Sequence, residues 1–117
     1  MKLYYSPGAC SLATRIVLHE AGIAAEFERV DLKAKVTESG ADYLAINPVG
    51  SVPLLVLDDG ETLTENVAVL DWIAHQSPAL ATQGDKLAHT RQLEMLAFIS
   101  TEIHKQFGRT FFPTSAA

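Results

Sequence analysis

Cysteine is almost absent from this chain. The single Cys10 leaves no partner for an internal disulfide, so the fold is not expected to depend on an oxidising compartment. Long hydrophobic runs are missing too: nothing approaches the ~20 consecutive apolar residues of a membrane-spanning helix. Pro7, Gly8 and Arg15 interrupt any apolar segment near the start and no small-residue cleavage site follows, so a secretion signal is not expected. Basic residues are scarce, with 9 Lys and Arg against 14 Asp and Glu and a net charge of -5. The two signs are interleaved, which argues against nucleic acid and anionic membrane as partners. His19, His75, His89 and His104 show no zinc spacing with a second ligand type, so no metal is expected. There is no Gly-rich phosphate loop, no Ser-His-Asp pattern, no repeat and no low-complexity segment. A cytoplasmic protein is the expectation.

What is present is ordinary material for a packed core. With 48% hydrophobic residues in 117, the chain has room for one domain, or one domain and a fragment of a second. Lys2 to Tyr5 reads as a short strand stopped by Pro7-Gly8. Leu12, Ile16, Val17 and Leu18 fall on helical spacing between Ser11 and Ala21, with Gly22 suited to the position just past a helix end. FERVDL, with Phe27, Val30 and Leu32, reads as a second strand. Residues 33–50 are polar and punctuated by Gly40, Pro48 and Gly50, which reads as a loop with a short helix near 41–46. Leu54 to Leu57 and Thr62 to Thr64 flank Asp58-Asp59-Gly60, a hairpin signal. Asn66 to His75 is helical, with Val67, Leu70, Ile73 and Ala74 making an apolar face that Val69 and Trp72 widen. Ser77-Pro78 stops it.

The segment to Gly84 is a linker by composition, and Asp85 is placed to cap a long final helix carrying Leu87, Leu93, Leu96, Phe98, Ile99, Ile103 and Phe107. The order β-α-β-(α)-β-β-α, then linker, then helix, suggests an α/β sandwich with a small mixed sheet. The final helix is apolar over more of its circumference than a lone surface helix should be, and Phe111 and Phe112 follow it. A cover for this surface is expected, from a partner or from further chain.

Three stretches carry chemistry. Cys10 follows a strand and a Pro-Gly turn at the start of a helix, where exposed N–H groups and the positive dipole end stabilise a thiolate and depress its pKa. Cysteine is also among the most buried and inert residue types, so position alone leaves both readings open. Cys10-Ser11-Leu12-Ala13 occupies the place of a C-x-x-C motif, but Ala13 is no resolving thiol. Exchange with an external thiol stays open. Val52-Pro53 precedes an apolar strand: trans is the ordinary expectation, and a cis bond would present the Val52 backbone to an extended ligand. Glu65-Asn66 opens a helix, where a carboxylate is ordinary dipole complementarity or, together with the Asn66 N–H and side chain, a clamp for a zwitterionic amino-acid end. Lys33 and Lys35 read as loop charges, and His104-Lys105 as a polar helix face.

In this order the pieces are distinctive. MKLYYSPGACSL, VDLKAKVTESGADYLAINPVGSVPLLVLDDGETLTE and FISTEIHKQFG resemble the N-terminal thioredoxin-like domain of a bacterial, beta-class glutathione S-transferase and the first helix of its second domain. The likeness covers nearly the whole chain. It implies an α/β thioredoxin-like βαβ-α-ββα domain over 1–76 and a linker over 77–85. Residues 86–117 would then be the first helix of an all-α second domain of which the rest lies outside this chain.

The resemblance implies glutathione as co-substrate, its thiolate being conjugated to a small hydrophobic electrophile, in a homodimer. Cys10 would be the class's thiol, beside the glutathione sulfur and able to form a mixed disulfide with it, and Ser11 would add a hydrogen bond at the helix start. Lys35 would reach the glycyl carboxylate. Val52, before a cis Pro53, would pair with the cysteinyl portion. Glu65 and Asn66 would hold the γ-glutamyl amine and carboxylate, with Asn66 standing where the pattern has a small residue such as Ser or Gly. His104, a candidate catalytic donor, and Lys105 would border the thiol. A glutaredoxin-like oxidoreductase acting through Cys10 and a non-catalytic glutathione-binding or interaction module are the alternatives.

Overall fold

A computed structural model describes residues 1–84 and 86–111, with side chains to Gly108. Asp85, the side chain of Phe111, and Phe112 lie outside the described residues. Contacts divide the chain into a unit over Met1–Ala81 and a second unit that begins at Thr82.

In the first unit, β1 (Lys2–Tyr5), α1 (Ser11–Glu20) and β2 (Glu26–Asp31) form a β-α-β unit in which β1 and β2 run parallel. A helix is the usual way to return a chain to a parallel neighbour. β3 (Val36–Thr37), α2 (Tyr43–Ile46), β4 (Leu54–Val56), β5 (Thr62–Thr64) and α3 (Asn66–His75) complete the unit. The sheet has five strands in the order β3-β2-β1-β4-β5, antiparallel at every pairing except β1 with β2. The architecture is the mixed α/β, thioredoxin-like one expected.

Strand alternation sorts the core onto two faces. Leu3 and Leu55 join Leu18 of α1 and Val69 and Ile73 of α3, all buried. Tyr4 and Leu54, one residue along, join Val30, Tyr43 and Val52 on the other face. Period-two alternation requires this division, and truncating any of these leucines to Ala is expected to cost ~2–5 kcal/mol.

Several details differ from the sequence reading. Val36–Thr37 is a strand inside the expected loop, paired with Val30 and Asp31. Leu57 lies just outside β4, its N–H bonding Glu61 across the Asp58-Asp59-Gly60 turn. On α1, Leu12 and Ile16 are exposed, while Ser11, Thr14 and Leu18 face inward. Phe27 is exposed as well, with the Arg15 guanidinium 5.6 Å from its ring and 4.3 Å from that of Tyr5. After α3 the chain stays in the first unit to Ala81 rather than becoming linker at 77, because Ser77 is buried and its carbonyl accepts from the Leu80 and Ala81 N–H groups.

The second unit is helical but is not one regular helix. α4 (Ala88–Phe98) gives way to a π-helical stretch, Ile99–His104, and then to α5 (Lys105–Phe111). The Thr101 hydroxyl donates to the Ala97 carbonyl at 3.0 Å, competing for the acceptor that an α-helical Thr101 N–H would take. The Lys105 N–H bonds Ser100, five residues back. Met95, Phe98, Ile99, Ile103 and Phe107 are exposed, as expected for an apolar surface without its cover.

Candidate functional site

In the first unit, hydrogen bonds tie the loop before β4 to Lys35 and to Cys10 at the start of α1, and tie α1 to Asn66 at the start of α3. Cys10 is the N-cap residue of α1 and is half-buried. Its thiol donates to the Val52 carbonyl oxygen at 3.4 Å, across 42 residues of sequence. Burial pushes the thiol above its ordinary value of 9.0, the N–H groups of Cys10 and Ser11 pull it back, and the Glu65 carboxylate pushes it up again. The expected depression by the helix start is thus present but outweighed. Desolvation and a neighbouring negative charge exceed what two N–H groups supply.

Ser11 is fully buried. Its hydroxyl accepts from the Ser6 N–H at 3.1 Å and donates to the Ser6 carbonyl at 3.2 Å, so the side chain closes the Pro7-Gly8 turn that presents Cys10.

Val52 and Pro53 are both buried, and the bond between them is cis. The Val52 N–H takes no partner among the described residues, while its carbonyl receives the thiol. The approach to Val52 is fixed by Asn47 and Tyr43, which are buried. Asn47 Nδ2 and the Tyr43 hydroxyl both donate to the Ser51 carbonyl, at 2.9 and 2.7 Å, and Asn47 Oδ1 accepts from the Val49 N–H at 3.2 Å. Sequence reasoning passed over both residues. The Asn47-Pro48 pair was a turn signal that could have pointed to Asn47.

Lys35 reaches the same loop. Its backbone is left-handed, φ 58°, held by its own N–H on the Asp31 carbonyl and by its carbonyl receiving the Tyr43 N–H. Its Nζ donates to the Gly50 carbonyl at 2.9 Å. Gly50 is required there twice over: its φ is +77°, and a Cβ would stand 3.0 Å from Leu44 Cδ2 and 3.3 Å from Lys35 Cε and Nζ.

Glu65 precedes α3 with φ 68° and ψ 118°, a conformation costly for a residue with a side chain, and its carboxylate does not cap the helix. The first N–H groups of α3 therefore carry no side-chain cap. Asn66 opens the helix, and its Oδ1 accepts from the buried Thr14 hydroxyl at 2.9 Å. His104 closes the π-helical stretch of the second unit and Lys105 opens α5, both exposed. No helix among the described residues is long and apolar enough to cross a membrane.

The arrangement suits an extended peptide carrying a carboxylate at each end. The groups on offer are the Val52 N–H, unpartnered among the described residues, the Lys35 ammonium held on the Gly50 carbonyl, and the helix start that the Glu65 carboxylate leaves uncapped.

Comparison with known proteins bears on this arrangement. Residues 8–76 match the family described as glutathione S-transferase, N-terminal domain. Glutathione S-transferase GstA of Escherichia coli O157:H7 is 45% identical over 115 residues, which are 97% of this chain and 57% of that protein. The beta-class glutathione S-transferase of Sphingomonas chungbukensis is 48% identical with a TM-score of 0.89, over 97% of this chain and 57% of that one. A sphingomonad glutathione S-transferase, solved in complex with glutathione, is 50% identical with a TM-score of 0.84, over 92% of this chain and 54% of that one. The chain thus spans little more than half the length of these relatives. With the family model covering 8–76 and the sheet and helices arranged as described, this chain belongs to the glutathione S-transferase family, through its N-terminal domain.

Proposed function

We propose that this chain supplies the glutathione site of a glutathione transferase. The observation that carries the reading is the Val52 backbone, its N–H unpartnered among the described residues and its carbonyl against the Cys10 thiol, in the unit that also carries the Lys35 ammonium and the uncapped start of α3. An extended tripeptide pairs its cysteinyl segment with Val52, as a strand is added to a sheet edge. Its glycyl carboxylate meets Lys35. Its γ-glutamyl amine meets Glu65 and its γ-glutamyl carboxylate the first N–H groups of α3 and Asn66.

When bound, glutathione supplies the attacking sulfur. Cys10 sets the surroundings of that sulfur: a neutral thiol already donating to Val52 can redirect its S–H to a thiolate and stabilise it. His104 and Lys105 are further candidates for that end of the site in the complete protein. The reaction is displacement or addition at a small hydrophobic electrophile: the glutathione sulfur forms a bond to carbon and its proton goes to solvent or to a basic group; in displacement the leaving group departs with its electron pair, and in addition the electron pair of the broken π bond stays on the electrophile, which takes up a proton. The complete protein is a homodimer in the cytoplasm, and the second domain builds most of the electrophile pocket.

Cys10→Ala separates this reading from a glutaredoxin-like one. Conjugation of an aryl halide to glutathione is expected to survive and disulfide exchange with a mixed glutathione disulfide to vanish. Loss of conjugation together with exchange would show that Cys10 itself carries the chemistry, and retention of neither ligand nor activity by the unaltered protein would reject the glutathione site.

A further inference from the structure

Two buried side chains that the proposed reaction does not use converge on one backbone oxygen. The Tyr43 hydroxyl and Asn47 Nδ2 both donate to the Ser51 carbonyl, at 2.7 and 2.9 Å. Neither contact runs the other way. A carbonyl oxygen only accepts, and the Asn47 carboxamide is oriented from its far end, where Oδ1 takes the Val49 N–H at 3.2 Å. Both acceptor directions of the Ser51 carbonyl are therefore filled by the protein itself.

That carbonyl belongs to the same peptide unit as the Val52 N–H. The unit is trans, the cis bond being the next one, Val52–Pro53. In a planar trans unit the C=O and the N–H point in opposite directions. Anchoring the oxygen at two points thus fixes the direction of the N–H. It also draws electron density toward the oxygen, which strengthens the N–H as a donor by ~10–30% per bond. The Val52 N–H has no partner among the described residues, so the gain falls to whatever binds there.

We propose that Tyr43 and Asn47 are positioning residues that act on the ligand through the Ser51–Val52 peptide, aiming the Val52 N–H and strengthening it as a donor to the cysteinyl carbonyl. The inference rests on the glutathione reading above and deepens it: the site selects thiols built into a peptide, whose carbonyl accepts that bond, over simple thiols. A loop that was merely loosened would weaken every ligand alike. A less polarised N–H weakens each ligand in proportion to the strength of its acceptor.

Calorimetric titration with two ligands tests this. One is glutathione; the other is its thioamide analogue, in which sulfur replaces the cysteinyl carbonyl oxygen and accepts more weakly. The unaltered protein should bind glutathione the more tightly, by about three- to tenfold. Tyr43→Phe removes one hydroxyl and is expected to weaken glutathione about two- to fourfold, and the analogue by less than about 1.5-fold. In the same ligand-free variant the Val52 amide proton resonance should move upfield, which a loss of stability alone does not produce. Equal loss toward both ligands, an unaffected glutathione affinity or an unmoved Val52 resonance would overturn the proposal. If Tyr43→Phe does not fold, Asn47→Asp decides on the same ligand pair, since it keeps an oxygen for the Val49 N–H and removes the donor. A narrowed difference between the ligands then supports the assignment, and an unchanged one overturns it. An unaltered protein that binds neither ligand removes the glutathione reading and this inference together, whereas one that binds both equally keeps the glutathione site and removes this inference alone.

Discussion

The Cys10 thiol donates to the Val52 carbonyl at 3.4 Å, tying the first residue of α1's cap to the residue that leads into β4. A thiol used as a donor is a protonated thiol, and burial and the Glu65 carboxylate both favour that form. Cys10 is therefore held as a hydrogen-bond donor rather than as a free thiolate at neutral pH.

Removing the charge of Glu65 should make the thiol more acidic. Glu65→Gln deletes one of the two influences that raise the Cys10 value, while the two N–H groups that lower it remain. The pH profile of iodoacetamide alkylation is expected to move to lower pH and the rate at neutral pH to rise. A profile that stays put or moves upward would count against the electrostatic link.

Glu65 also occupies a backbone conformation that a side chain resists. Glu65→Gly should relieve a cost of ~1–3 kcal/mol, offset in part by the ~0.5–1 kcal/mol of added chain freedom. Stability to urea should rise by about 1 kcal/mol while glutathione binding falls. A destabilised Glu65→Gly protein would show that the conformation is not strained.

At Gly50 the opposite holds. Gly50→Ala combines a left-handed φ with a Cβ crowding Leu44 and Lys35. It should lose ~1–2 kcal/mol from the backbone alone. It should also weaken glutathione more than γ-glutamylcysteine, which lacks the glycyl carboxylate that Lys35 would meet. Equal effects on both ligands would separate Gly50 from Lys35.

The loop before Val52 offers an ordering test. Tyr43→Phe leaves the Ser51 carbonyl bonded to Asn47, whereas Asn47→Ala removes that bond and the one to Val49. Thermal denaturation should place Tyr43→Phe ~1 kcal/mol below the parent and Asn47→Ala ~2 kcal/mol below it. The reverse order would mean that the phenol, not the carboxamide, holds the loop.

Acid stability should depend on Glu28. Its carboxyl is held down to about 2 by the Lys2 ammonium 2.7 Å away, and by the Thr37 and Ser39 hydroxyls. A carboxyl whose folded value lies below its ordinary 4.5 contributes stability that is complete above that value and is lost as pH falls from there toward 2. In Glu28→Gln, the decline between about pH 4.5 and 2 should flatten. An unchanged slope would assign the acid sensitivity to other groups.

Much of the architecture was legible in local pattern. The Asn66–His75 helix and the Thr62–Thr64 strand follow from apolar spacing and from Ser77-Pro78 and Asp59-Gly60 as punctuation, because those signals act within a few residues. β3 was not legible: two residues have no period, and Val36–Thr37 is a strand only because β2 offers it partners. Nor was the inward face of α1, where Leu12 and Ile16 keep helical spacing yet stay exposed while Ser11 and Thr14 are buried. The π-helical stretch likewise depends on the Thr101 hydroxyl taking the Ala97 carbonyl, a competition that residue spacing does not register.

For the site, the sequence by itself determined which residue types were available: one thiol, one lysine in a loop, a carboxylate and an amide opening a helix. Only tertiary structure decided what each of them faces. Cys10 meets Val52 across 42 residues and Thr14 meets Asn66 across 52. Such pairings are set by strand register and helix packing, and burial, not helix position, decides the state of the thiol.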